Sequence, residues 1–227
     1  MMTDSQTELT SRLVDAALLH VAFDGWSEET FKAACADAEI DIAKARLLFP
    51  RGAVELAIAF HKAGDAAMVE RLNATDLSSH KFRDRIALAV RYRLEACSDK
   101  EAVRRGSTLF SLPQYAGDGA KLIWGTCDLI WSTLGDTSED VNWYSKRATL
   151  SAVYGATVLY WLGDESYDTQ PTWDFLDRRI ENVMQFEKFK SQVNANPLSK
   201  ALFAGPQWML SKIKAPSQMG KTKLPGQ

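Results

Sequence analysis

Between Ser138 and Glu165 the chain reads SEDVNWYSKRATLSAVYGATVLYWLGDE, and few folds can accommodate such a run. From Trp143 to Leu162 nearly every position is apolar or small, so a helix here would be hydrophobic all round and is expected to be buried as the central packing element. Ala148, Ala152, Gly155 and Ala156 would let neighbouring helices approach closely. Trp143, Tyr144, Tyr154, Tyr160 and Trp161 bring large aromatic surfaces with polar tips, able to pack tightly or to wall a cavity. A membrane span is excluded for this run: the uncharged stretch between Arg147 and Asp164 is sixteen residues, and a span needs about 20.

The rest of the chain carries helical periodicity almost without exception. Leu9, Leu13, Ala16, Ala17 and His20 recur at helical spacing, and Ser27 followed by Glu28 and Glu29 is an N-cap with acids in the first turn. Phe31, Ala34, Cys35 and Ala38 form the apolar face of a second helix. Asp41 caps a short third one, which Phe49-Pro50-Arg51-Gly52 breaks. A fourth runs from Ala53 to Asn73, and further helices are expected at about 79–97, 100–112, 119–134, 140–162 and 171–192. No stretch alternates as a strand does, so the fold class is all-α. The expected organisation is a helical module over residues 1–52, a larger helical domain over 53–192 and a basic tail over 193–227.

Composition narrows the function classes. With 46% hydrophobic and 25% charged residues among 227, the chain is that of a globular protein with a sizeable core. Cys35, Cys97 and Cys127 lie far apart, in neither a disulfide framework nor a metal-ligand spacing. The start, MMTDSQTE, has neither the apolar region of a secretory signal nor the arginines of a transit peptide, which leads to the expectation of a cytosolic, unprocessed protein. The net charge of -2 conceals an asymmetry: all 29 acids precede residue 188, and the last 40 residues hold lysines and no acid.

Three helices, the third short and ending in Phe-Pro, followed by a long fourth resemble the N-terminal module of TetR-type regulators, in which the third helix enters the major groove. The charges oppose a DNA-binding reading. Lys32, Lys44, Arg46, Arg51 and Lys62 face Glu28, Glu29, Asp37, Glu39, Asp41 and Glu55, a balance of -1 across residues 28–62. Phosphate contacts supply much of any affinity for DNA, and Leu47, Leu48 and Phe49 make the supposed reading helix greasy. The expectation is a fold retained without its groove contacts, and no nucleic-acid partner. A ligand-responsive transcriptional regulator is the alternative.

On a helical wheel the tail shows an interfacial pattern. Leu198, Leu202, Pro206, Met209 and Ile213 form a stripe that Phe203 and Leu210 widen, while Lys200, Lys212 and Lys214 flank or oppose it and Trp208 lies at the edge. These residues are the expected contacts with an anionic membrane surface. The competing reading is a helix that folds back on the core or on another subunit.

Catalytic constellations are sparse. His20, His61 and His80 read as lying on separate helices, and none has the spacing of a metal-binding bundle, so no metal and no cofactor are expected. Ala215–Thr222, APSQMGKT, matches a degenerate phosphate-binding loop only in spacing, without the flanking strand and helix that such a loop needs. A non-catalytic protein is the better reading.

Two motifs carry a family resemblance. Asp140-Val141-Asn142-Trp143-Tyr144-Ser145-Lys146-Arg147 with the aromatic helix after it, and Thr172-Trp173-Asp174-Phe175-Leu176-Asp177-Arg178-Arg179-Ile180, closely resemble the ubiquinone-biosynthesis accessory family COQ-nine. The resemblance covers roughly residues 9–215. It implies a TetR-type fold without DNA binding, a buried site for an isoprenoid quinone or other apolar lipid, and a homodimer through C-terminal helices. It also implies a partner, the di-iron demethoxyubiquinone hydroxylase. It sets the chain at the inner membrane, in a bacterium or on the matrix side of a mitochondrion, the bacterial setting being favoured by the missing transit peptide. A polyprenyl quinone leaves a bilayer only for an equally apolar cavity, since each buried CH₂ is worth about 0.8 kcal/mol. Leu122, Trp124, Trp131, Tyr154 and Trp161 are the expected lining. Asp140, Trp143, Tyr144 and Arg147 are the expected partner surface, because Trp143 and Tyr144 are adjacent and point about 100° apart on a helix. The competing reading makes both rings core caps and pairs Arg147 with Asp140.

Overall fold

The computed structural model describes residues 4–97 and 99–195. Among the described residues every regular element is an α-helix: α1 Asp4–Asp24, α2 Glu28–Asp37, α3 Ile42–Leu48, α4 Ala53–Asn73, α5 Phe82–Glu95, α6 Lys100–Ser111, α7 Ala116–Thr133, α8 Val141–Gly163 and α9 Gln170–Ala195. The expected segments are present, with ends moved by a few residues. His80 lies just before α5 rather than on a helix. The tail residues Leu198, Lys200, Leu202, Phe203, Trp208, Met209, Leu210, Lys212, Ile213 and Lys214, and the APSQMGKT run, lie outside the described residues.

The chain forms two compact units, one from the residues up to Asp76 with Arg91–Thr126, the other from Leu77–Val90 with the chain from Cys127 onward. In the first, α1 packs on α2, α4 and α6. Leu13, Ala17 and Val21, one helical turn apart, are fully buried with Phe31 and Ala34 of α2, Ala45 of α3 and Leu56 of α4. The caps are those the sequence announces: the Ser27 hydroxyl accepts from Thr30 N at 3.2 Å, and Asp41 accepts from Ala43 N and Lys44 N at 2.9 and 3.0 Å. Each satisfies amides that a helix start leaves without intrahelical partners. Gly52, at φ 62°, makes the turn into α4, and a Cβ there would lie 2.7 Å from the Arg46 guanidinium.

Behind this apolar core the first unit buries a polar knot. The Arg93 guanidinium donates to Asp65 Oδ1 at 2.6 Å and to the His61 carbonyl at 3.0 Å, and Thr126 Oγ1 donates to Asp65 Oδ1 at 2.9 Å. His61 Nε2 meets the same hydroxyl at 2.9 Å. Burial, helped by the nearby Arg93 charge, pushes the His61 imidazole down to about 4, so the ring is neutral near pH 7.

In the second unit α8 packs along α9. Leu150, Tyr154, Trp161 and Leu162 are buried on α8, as are Trp173, Leu176 and Ile180 on α9. Asp164 links the two helices, accepting from Ser166 N and Oγ and from Thr172 N and Oγ1. Those hydrogen bonds hold its carboxyl at about 2. The structure corrects one expectation here. α8 is not buried all round: Leu159 is 68% exposed, Tyr160 39%, and Ala148 and Ala152 are exposed on the same side. An apolar sequence states that a face is unsuited to water, while burial needs an element to cover it, and among the described residues it is the Arg147–Leu150–Tyr154–Trp161 side that is buried.

Candidate functional site

Within the second unit the helices leave a cavity of about 300 Å³. Phe82 and Ile86 come to it from α5, Trp131 from the end of α7, Leu150 and Val153 from α8, and Ile180, Val183 and Met184 from α9. The walls are mostly carbon. Polar groups gather on the side formed by the start of α8, where Asn142, Ser145, Lys146 and Thr149 line the space with Arg83 of α5.

The aromatic wall is held by named contacts. Trp131 Nε1 donates to the Lys146 carbonyl at 3.2 Å, which satisfies the one polar atom of an otherwise buried indole. The Phe82 ring lies against it with centroids 5.5 Å apart, and the Lys146 ammonium stands 5.1 Å from the Trp131 centroid. Lys146 is in turn fixed by Asp136 at 2.8 Å and by Ser138 Oγ at 2.6 Å. Arg83 pairs with Glu181 at 2.8 Å and with Asp84 at 3.2 Å. The cations at the rim are thus engaged with carboxylates, and the cavity offers an apolar interior with a hydrogen-bonding edge. That combination suits a flat, weakly polar ring or a hydrocarbon segment.

Below the rim Arg147 ties the loop after α7 to α8. Its side chain is 2% exposed; Nε donates to Asp128 Oδ1 at 2.5 Å and Nη1 to Asp136 Oδ2 at 2.9 Å and to the Trp143 carbonyl at 3.1 Å. Its guanidinium also covers the Trp143 ring, 4.0 Å from the centroid. Burial pushes the Asp136 carboxyl up, but hydrogen bonds from Lys146, Arg147 and Ser138 together outweigh it and hold the group well below the ordinary carboxylate range.

The sequence-derived residues fall into different places. Trp131 lines the cavity, whereas Tyr154 and Trp161 are buried among the packed side chains of the second unit. Leu122 and Trp124 belong to the first unit, where Leu122 lines a separate cleft. Asp140 caps α8, accepting from Asn142 N at 2.9 Å, so Arg147 pairs with Asp128 and Asp136 and not with Asp140. Trp143 and Tyr144 are both half-buried and meet edge to face with centroids 4.8 Å apart. The sequence places a cavity among the helices of residues 80–190, but no α9 residue is among its expected lining. The spacing of Ile180, Val183 and Met184, three and four residues apart on one helical face, is the signal that marks it.

Residues 116–187, covering α7, α8 and most of α9, match the COQ9 family model. The chain is similar to the protein called probable ubiquinone biosynthesis protein coq9, mitochondrial, of Dictyostelium discoideum, 27% identical over 82% of this chain and 63% of that protein. It is likewise similar to ubiquinone biosynthesis protein COQ9, mitochondrial, of Xenopus tropicalis, 29% identical over 84% of this chain and 62% of that one. The human protein of the same name is 27% identical over 85% and 63%. The chain thus spans a little under two thirds of the length of these curated relatives. Among solved structures, a TetR transcriptional regulator from Nitrosomonas europaea ATCC 19718 superposes with a TM-score of 0.64 at 19% identity, over 77% of this chain and 97% of that one, a likeness of fold. The family matched at residues 116–187 and named by the curated relatives, COQ9, is the one that the Asp140–Arg147 and Thr172–Ile180 runs resemble, and the fold of the described residues is all-helical and TetR-like.

Proposed function

We propose that this chain is a non-catalytic accessory protein of ubiquinone biosynthesis that binds a polyprenyl quinone intermediate and presents it to the di-iron demethoxyubiquinone hydroxylase. The observation that carries the reading is the carbon-walled cavity of α5, α7, α8 and α9, with its hydrogen-bonding edge at Asn142, Ser145 and Thr149. Its size defines what it can take. About 300 Å³ lies at the lower end of ligand pockets, enough for a substituted ring and a short length of chain. A long polyprenyl tail would lie along further apolar surface or in the membrane.

The other parts of the reading follow the chemistry of the surface. The apolar side of α8 with Leu159 and Tyr160 exposed is suited to a second copy of the chain, giving a homodimer. The basic amphipathic tail would hold the protein at an anionic inner-membrane surface, within reach of its lipid. Trp143 and Tyr144, braced by Arg147, would form the contact with the hydroxylase. Against a DNA-binding regulator stands the surface of α3, where Leu47 is 83% exposed and Ile42 41%. A helix that reads a phosphate-lined groove gains nothing from such leucine and isoleucine surface.

The test is mass spectrometry of lipid extracted from the full-length protein. Wild type is expected to carry isoprenoid quinone. Val183→Trp, which fills the cavity from α9, is expected to lose it while keeping the melting temperature within a few degrees. Absence of extractable lipid from wild type, or undiminished lipid in the filled variant, overturns the reading.

A further inference from the structure

The first unit holds a second cleft, of about 540 Å³, between the start of α1, the end of α3, α4 and the start of α7. Its floor is apolar: Phe49 and Leu122 are buried there, and Ile58 and Ala59 are half-buried. Its rim carries Arg51, Lys62 and Lys121 against Glu55 and Asp118. Both acids are committed to Arg51: Asp118 Oδ2 accepts from its guanidinium at 2.7 Å, and Glu55 stands 3.7 Å from it and also accepts from the Arg51 amide at 2.8 Å. Lys62 and Lys121 remain, exposed, on α4 and α7 beside the apolar floor.

We infer that this cleft binds an amphiphile with a hydrocarbon chain ending in an anionic group, its chain on Ile58, Ala59 and Leu122 and its anion between Lys62 and Lys121. An apolar floor alone would take any chain. Three cations against two carboxylates leave the rim one positive charge in excess, and with both acids held at Arg51 that excess lies at Lys62 and Lys121, where it selects an anionic end. The site is separate from the cavity of the second unit and does not depend on the role assigned to it. The shared chemistry admits a free fatty carboxylate or a single-chain phospholipid phosphate.

The experiment is isothermal titration of the full-length protein below the micellar concentration with decanoate, decyl phosphate and decanol as probes. Decanoate or decyl phosphate is expected to bind more tightly than decanol, the tighter of the two identifying the head group. The double variant Lys62→Glu/Lys121→Glu is expected to weaken the anionic probe about tenfold, with decanol unchanged, as two reversed surface charges should. Ala59→Trp, which fills the floor without altering charge, is expected to weaken all three, while Val183→Trp in the second unit leaves the Lys62- and Lys121-dependent component intact. Lys32→Glu, a charge reversal of the same chain elsewhere, is expected to have no such effect. Equal affinities for decanoate, decyl phosphate and decanol, or anionic binding that survives the double reversal, overturns the proposal.

Discussion

Arg147 illustrates how one residue can be conspicuous in the sequence for one reason and matter in the structure for another. Beside two aromatics it looks like an interface anchor, yet its side chain is 2% exposed and neutralises Asp136, which is equally buried. Removing one partner of a buried pair leaves an uncompensated charge, so Arg147→Met is expected to lower unfolding free energy by about 3–5 kcal/mol in a urea titration. A loss under 1 kcal/mol would mean that Asp136 finds enough in Lys146 and Ser138 alone. His61 gives a second expectation at this scale. Its pKa falls from 6.5 to about 4 on folding, so the unfolded chain takes up the proton first. Stability is full above the unfolded pKa and falls as the pH drops from about 6.5 to 4, by up to about 3 kcal/mol. The depressed Asp136 and Asp164 act in a lower window, stabilising the fold above the ordinary carboxylate pKa and losing that contribution as the pH falls toward 2. His61→Gln should flatten melting temperature against pH in the upper window and leave the lower one; an unchanged upper limb would place the sensitivity in another group.

Among the elements, α8 combines two roles that its sequence merges into one apolar run. Its inner side, from Arg147 through Leu150, Tyr154 and Trp161, is buried, while Leu159 and Tyr160 face outward. Tyr160 is stacked on Phe175 of α9 with centroids 4.5 Å apart, which gives the outer side a rigid aromatic surface spanning both helices. If that side meets a second copy, Leu159→Glu should convert the dimer to monomer in sedimentation velocity with the melting temperature changed only by the lost association. A dimer that persists in Leu159→Glu would assign this face to some other contact.

For the whole molecule, the charge asymmetry between an acid-bearing body and a lysine-only end lets the two proposed roles, lipid binding and membrane contact, be tested apart. Removing residues 196–227 is expected to preserve the helical signal and the lipid binding proposed for the second unit. It should also abolish co-sedimentation with vesicles of anionic phospholipid, since each lysine near such a surface contributes about 1 kcal/mol. Equal sedimentation with and without the tail would move membrane contact to the body. Among the described residues no helix is long and apolar enough to cross a membrane, so the contact proposed is peripheral.

What the sequence determined by itself was local. Helix starts at Ser27 and Asp41, the break at Gly52 and the helical period of α1 depend on side chains a few residues apart, and the structure realises each of them. The resemblance to the COQ9 family could be read for the same reason, because the motifs that carry it are continuous runs. Most of the residues that line the cavity could not be read this way. Trp131 was recognisable as a large aromatic, but its companions Phe82, Leu150 and Ile180 come from distant parts of the chain and look like ordinary core residues until α5, α8 and α9 are placed together. Tertiary structure also decided the partner of Arg147, since a buried guanidinium pairs with whichever carboxylates the packing delivers, here Asp128 and Asp136 from the end of α7 and the loop after it. It decided which side of α8 meets water as well: periodicity distinguishes apolar from polar positions, and an all-apolar helix has no period left to read.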